Sequence, residues 1–149
     1  MAIQNKNGQR DEDLACKIFK RYGYWSHNIK KGADGGQPCD IVAINKSTSF
    51  LVDVKNVRKE EASFTFSRIE PNQKSSFDYA KNGCGIKNVG FVIFFERDML
   101  NPRWLSYDQF LSMDSRKEKS ANISILPLFE TILKKIDSFW KMPIDKIYK

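Results

Sequence analysis

His27 is the only histidine in a chain of 149 residues that has three cysteines, five prolines and no long apolar run. A lone histidine excludes catalysis built on two imidazoles and any histidine-rich metal site, and no nucleophile motif supports a serine triad. His27 itself reads as an ordinary strand residue. Cys16, Cys39 and Cys84 are odd in number and scattered, which fits neither a disulfide framework nor a zinc site. They read as small buried hydrophobes in a reducing cytoplasm. No apolar stretch approaches the ~20 residues that cross a bilayer, and the first residues are too polar for a signal peptide, so a soluble protein is expected. The glycines between residues 32 and 36 lack the spacing and the trailing Lys-Ser/Thr of a nucleotide-binding loop, which argues against ATP. They read as a flexible turn or as a loop whose backbone approaches DNA. No internal repeat is found, and the length predicts one domain, residues 1–149.

Acid is also in short supply. Eighteen Asp and Glu face 25 Lys and Arg, giving a formal charge of +7. Lys30, Lys31, Lys55, Arg58, Lys59, Arg68, Lys74, Arg116 and Lys117 lie near predicted loops or element ends. Singly they are solubilising residues, and as a set they favour an anionic polymer as ligand.

Against that background two acids stand out, because both interrupt the most strand-like part of the chain. Asp40 precedes Ile41-Val42-Ala43-Ile44, Asp53 follows Phe50-Leu51-Val52, and Asn45 to Ser49 reads as the turn of a hairpin. Residues two apart on a strand share a face, so Asp53 and Lys55 emerge together while Val52 and Val54 turn into packing. Asp40 joins them if paired residue numbers sum to an odd value, as turns centred on Lys46-Ser47 or Ser47-Thr48 would give. Two converging carboxylates are hard ligands suited to Mg²⁺ or Mn²⁺. The plainer reading is a solvated Asp–Lys pair. Buried charge without compensation is costly, however, and a divalent cation is the simplest compensation.

Gly32-Ala33-Asp34-Gly35-Gly36-Gln37-Pro38-Cys39-Asp40 together with Asp53-Val54-Lys55 resembles the central motif of the PD-(D/E)xK nucleases. It is most similar to that of Holliday junction resolvases of the archaeal and RecU types. Gly8 followed by Glu12 resembles the resolvase pattern at the head of the first helix. Apolar Leu14, Ala15, Ile18, Phe19 and Tyr22 make a helix from Asp11 to Tyr22, capped by Gly23. Glu12 shares the face of Ala15, Cys16 and Phe19 and should point at the sheet, although a first-turn acid also suits the helix dipole. Phe64 to Gln73 resembles the next resolvase strand and a helix begun by Pro71, with Gln73, Phe77 and Ala80 along one face. Asn88 to Phe95 reads as a central buried strand. The resemblance covers about residues 6 to 110. It departs from the family in having aspartate at 53 where glutamate is commoner, and in leaving no room for the RecU stalk.

The resemblance implies a restriction-endonuclease-like α/β fold, a mixed four- to five-stranded sheet flanked by helices. It implies a Mg²⁺-dependent endonuclease that cuts branched DNA such as four-way junctions, with Mn²⁺ able to substitute. Asp40, Asp53 and the Val54 carbonyl would hold the metal, Lys55 would act on the attacking water, and Glu12 and Gln73 would support them. Lys30, Lys31, Arg58, Lys59, Arg68 and Lys74 would contact DNA. Paired cuts imply a homodimer, and the setting would be a nucleoid or a phage-infected cytoplasm. A restriction or repair nuclease of the same superfamily, or a non-catalytic DNA-binding module, is the alternative.

In the remaining chain, Tyr22, Tyr24 and Trp25 read as core or as a surface for bases. Arg103 to Tyr107 reads as a strand, Asp108 to Met113 as a helix with an acidic cap, and Asp114 to Asn122 as a charged connection. Pro127 to Trp140 reads as a helix that either caps the core or meets another subunit.

Overall fold

The computed structural model describes residues 2–29 and 39–136. Lys30, Lys31, the glycine-rich 32–36 segment, Gln37, Pro38 and the end of the last predicted helix, with Trp140, lie outside the described residues.

A five-stranded mixed sheet organises the fold, in the order β1 (Trp25–Asn28), β2 (Ile41–Ile44), β3 (Ser49–Val57), β5 (Asn88–Phe95), β6 (Arg103–Ser106). Only the central β3–β5 pair is parallel. Parallel neighbours need a crossover, and the chain between them supplies β4 (Ser63–Thr65) and α2 (Pro71–Asp78), which runs on into a single π-turn over Tyr79–Gly83. The first helix, α1 (Ala2–Arg21), covers one face of the sheet together with a helical segment over residues 129–136. The other face lies under α2 and α3 (Tyr107–Ser115). Among the described residues no helix is long and apolar enough to cross a membrane.

Strand alternation divides the core in two. Phe50, Val52, Val92 and Phe94 pack with Ala15, Phe19, Tyr24, Trp104 and Phe129, while Val57, Phe91, Ile93 and Phe95 pack with Phe64, Phe77, Leu105 and Phe110. Aromatic rings dominate both layers and meet edge to face, as Phe19 does Phe50 and Phe129, an arrangement contributing about 0.5–1.5 kcal/mol per pair beyond area burial. β5 is buried along nearly its whole length, as expected of a strand apolar on both faces. Phe129 and Leu133 are fully buried, so the last helix caps the core through this face.

The structure corrects several expectations. The first helix does not begin near Asp11 but runs from Ala2, placing Gly8 in its interior and Glu12 well beyond the first turn. The helix-dipole reason for an acid at position 12 therefore fails, since that effect fades after one turn. The C-terminal end is as expected: Gly23, at φ +83°, and Tyr24 return their N–H groups to the Lys20 and Phe19 carbonyls at 3.1 Å, a Schellman closure. The cap of α3 is Ser106, whose hydroxyl accepts from the Gln109 N–H at 3.0 Å, and not Asp108. The charged connection after Asp114 contains β7 (Ser120–Asn122), which pairs with β4 in a separate two-stranded sheet. Cys16 and Cys39 are buried, but Cys84 is exposed because it follows the π-turn at the surface.

Candidate active site

The β2–β3 hairpin has the register that Asp40 needs. Ile41 pairs with Val52 and Ile44 with Ser49, so numbers sum to 93, and one residue beyond the last pair Asp40 falls beside Asp53. The turn that sets this register is centred on Lys46-Ser47. Asn45 closes it by donating its N–H to the Thr48 carbonyl at 3.0 Å and accepting the Ser47 and Thr48 N–H groups on its side-chain oxygen at 2.8 Å.

Asp40 is held from both neighbouring strands. Its N–H donates to the Val52 carbonyl at 3.0 Å, its carbonyl accepts from Ile29, and its Oδ2 accepts the Val54 N–H at 2.7 Å. On an extended strand a residue's N–H and C=O leave by the same edge. The Val54 carbonyl thus belongs to the edge of β3 that faces Asp40.

Asp53 is 4% exposed and the Lys55 side chain 14%, and Lys55 Nζ sits 2.9 Å from Asp53 Oδ2. Gln73 at the start of α2 completes the group. Its Nε2 donates to Asp53 Oδ2 at 2.8 Å, while its Oε1 accepts from Lys55 Nζ at 3.3 Å and from the Glu70 N–H at 3.1 Å. Each end of the amide therefore has complementary partners, which fixes its orientation. Pro71 at the first helical position and the buried Phe77 and Ala80 behind Gln73 put this turn of α2 against the sheet.

The electrostatics follow from crowding. Burial and the neighbouring Asp53 carboxylate, with which Asp40 shares a hydrogen bond, push the Asp40 carboxyl well above the usual carboxylate range. Glu12 is half-buried, and its carboxyl is also raised, first by burial and then by the charge of Asp53. Burial pushes the adjacent Cys39 thiol up to about 12, with the charges of Asp40 and Asp53 adding to the effect. Carboxylates that raise one another in this way are relieved by taking up a proton or by a nearby cation. Among the described residues no three His, Cys, Asp or Glu side chains converge into a ready-made metal cage. Two carboxylates beside a backbone carbonyl nevertheless suit Mg²⁺, which binds through one or two carboxylates and keeps several waters.

The expected DNA-contacting cations are less uniform. Arg58 and Lys59 are exposed just after β3. Arg68 donates to the Asn56 carbonyl at 2.6 Å and lies over the Phe64 ring, and Lys74 lies over Phe110. These two side chains brace the protein's own surface around the site.

Sequence reading passed over Asp11, which at 1% exposure is more buried than Glu12. Its Oδ2 accepts from Asn56 Nδ2 at 2.7 Å and its Oδ1 from Arg10 Nε at 3.0 Å, while Asn56 and Arg10 both reach Glu96. This network ties α1, one residue from Glu12, to β3 and to Glu96 just past the end of β5. The available signal was Asp11 standing four residues before Ala15 on the helix's apolar face.

No protein-family model and no curated protein sequence matches the chain. Among solved structures, it is similar to Hjc, a Holliday junction resolvase from the archaeal hyperthermophile Archaeoglobus fulgidus. The TM-score is 0.62 at 18% identity, over 85% of this chain and 99% of that one. Five mixed strands with helices on both faces, superposing on nearly all of that protein, give this chain a restriction-endonuclease-like fold.

Proposed function

We propose that the chain is a divalent-metal-dependent DNA endonuclease of the resolvase type, cutting phosphodiester bonds in four-way or otherwise branched DNA. The observation that carries the reading is the pairing of Asp40 with Asp53 across the hairpin, with Lys55 and Gln73 bonded to Asp53. The resolvase-like fold supports it. Asp40, Asp53 and the Val54 carbonyl would hold Mg²⁺, with Mn²⁺ able to substitute and Glu12 in support. When bound, such an ion acidifies a water and offsets charge on the phosphate.

The protein's own groups account for the remainder. Gln73 and Lys55 fix the Asp53 carboxylate, so the acid pair is set before substrate arrives. The Lys55 ammonium, once drawn to a phosphate oxygen, stabilises the extra negative charge of the five-coordinate state. The water oxygen bonds to phosphorus, the bond to one bridging oxygen breaks, and the water's proton passes to solvent or to the departing alkoxide. Paired cuts across a junction call for two such sites, hence a homodimer.

The test is a cleavage panel of four-way junction, flap and linear duplex with Mg²⁺ or with chelator. The junction should be cut best, and only with metal. Asp40→Asn and Lys55→Ala should each lower the rate by about 10²-fold or more. An Asp40→Asn protein that cuts as fast as the parent would overturn the site.

A further inference from the structure

Two rings on β1 stand in the open. Trp25 is 63% exposed, and its ring lies parallel to that of His27, with planes 12° apart and centroids 5.8 Å apart. Both lie on the sheet face that carries Asp53 and Lys55. Trp25 pairs with Ile44 and Ile44 with Ser49, while His27 pairs with Val42 and Val42 with Leu51. Directly paired residues share a face, as do alternate residues, and Ser49, Leu51, Asp53 and Lys55 form one such series. The core under α2 reaches this face as far as Leu51 and Val42, leaving Trp25 and Ile44 bare. From His27, Asp53 is two strands across and two residues along, about 12 Å by ordinary strand spacing and rise.

The surroundings select an occupant. Residues 22–29, 41–52 and 84–95 contain no carboxylate, whereas Lys46 lies in the β2–β3 turn and Lys87 just before β5. A second copy meeting this face through its own equivalent face would bring the same cations and no acid from these segments, which disfavours a two-fold self-association here. A nucleic acid brings both phosphates for the lysines and flat bases for the rings.

We propose that Trp25, backed by His27, is a base-stacking platform for an unpaired or unstacked nucleotide a few positions from the phosphate at Asp40 and Asp53. This rests on the nuclease reading and deepens it by naming the feature of branched DNA that is recognised. Trp25 offers its π-face to any base, so recognition is of an exposed base and not of its identity.

The experiment compares the full-length protein with Trp25→Ala and Trp25→Phe, in chelator so that nothing is cut, on two fluorescent probes. One is a fully paired duplex, and the other is the same duplex with a central unpaired thymidine. Trp25→Ala should weaken binding of the second probe about 5-fold or more with less than 2-fold change on the first, and Trp25→Phe should recover most of the loss. Circular dichroism checks folding, which an exposed ring should not control. Equal loss on both probes, or no loss on either, overturns the platform. So does a change in light-scattering mass that accounts for the binding change, since the surface would then belong to a second copy. If Trp25→Ala behaves like the parent while Asp40→Asn abolishes cutting, the platform fails and the nuclease reading stands. If the parent binds neither probe and cuts nothing, both fall.

Discussion

Replacing Asp40 by asparagine should make the protein more stable at alkaline pH while disabling its chemistry. Asp40 lies beside the buried Asp53, and its carboxyl is raised by burial first and by that neighbour second. An acid whose pKa is higher folded than unfolded gives stability that is present below the unfolded value and lost as pH rises through the folded one. Two like charges about 4 Å apart at an effective dielectric near 20 repel by ~4 kcal/mol. Lys55, 2.9 Å from Asp53, offsets part of this, leaving about 2–3 kcal/mol. Asparagine keeps the oxygen that accepts the Val54 N–H and removes the charge. In chelator, thermal melts of Asp40→Asn and parent should nearly coincide at about pH 3.5, below the ordinary aspartate pKa of about 3.9, and the mutant should melt roughly 5–10 °C higher at pH 9. Mg²⁺ should raise the parent's melting temperature at pH 9 and leave the mutant's unchanged, a readout independent of cleavage. A mutant equal to or less stable than the parent at pH 9 would refute the reasoning, because the two carboxylates would then not be repelling each other.

Other outcomes follow from the packing. Asn56→Ala removes the amide from the buried Asp11 carboxylate and should cost about 1.5–3 kcal/mol in urea unfolding; a loss under 0.5 kcal/mol would mean the network is incidental. A Cβ at Gly90 would lie 2.5 Å from the Leu105 carbonyl oxygen and 2.9 Å from the Ser106 Cα, both backbone atoms. Gly90→Ala should therefore lower the urea midpoint by the equivalent of roughly 1–3 kcal/mol. A Cβ at Gly8 meets nothing within 4 Å, so Gly8→Ala should raise stability by up to about 1 kcal/mol in the same assay. A thiol reagent applied to the native protein should modify Cys84 alone, with Cys16 and Cys39 reacting only after denaturation, as mass spectrometry would show.

Much of the site was legible because its parts are local. The hairpin register depends on a short turn, and the numbers of Asp40 and Asp53 already limited which turns could bring them together. Gln73 was placed by Pro71, which marks a helix start, and by the apolar spacing of Phe77 and Ala80. The long-range contacts were not legible. Asp11 and Glu12 are adjacent acids on one helix, and only the packing of α1 on the sheet puts Asp11 beneath Asn56 and leaves Glu12 half-buried in the field of Asp53. Lys74 is only half-exposed, and the ring of Phe110 over which it lies is 36 residues away in another element, whereas Arg68 is exposed and meets Phe64 only four residues before it.

The sequence by itself determined the continuous apolar run that buries β5 and the hairpin that carries the two acids, because each is set by neighbours a few residues apart, and it determined the excess of base over acid as a sum over the chain. The tertiary structure alone decided which rings are covered. Tyr24 and Trp25 are adjacent on the chain, yet Tyr24 packs against Phe19 and Phe50 while Trp25 faces outward. Successive residues of a strand point to opposite faces, and only the arrangement of helices over the sheet determines which face is filled.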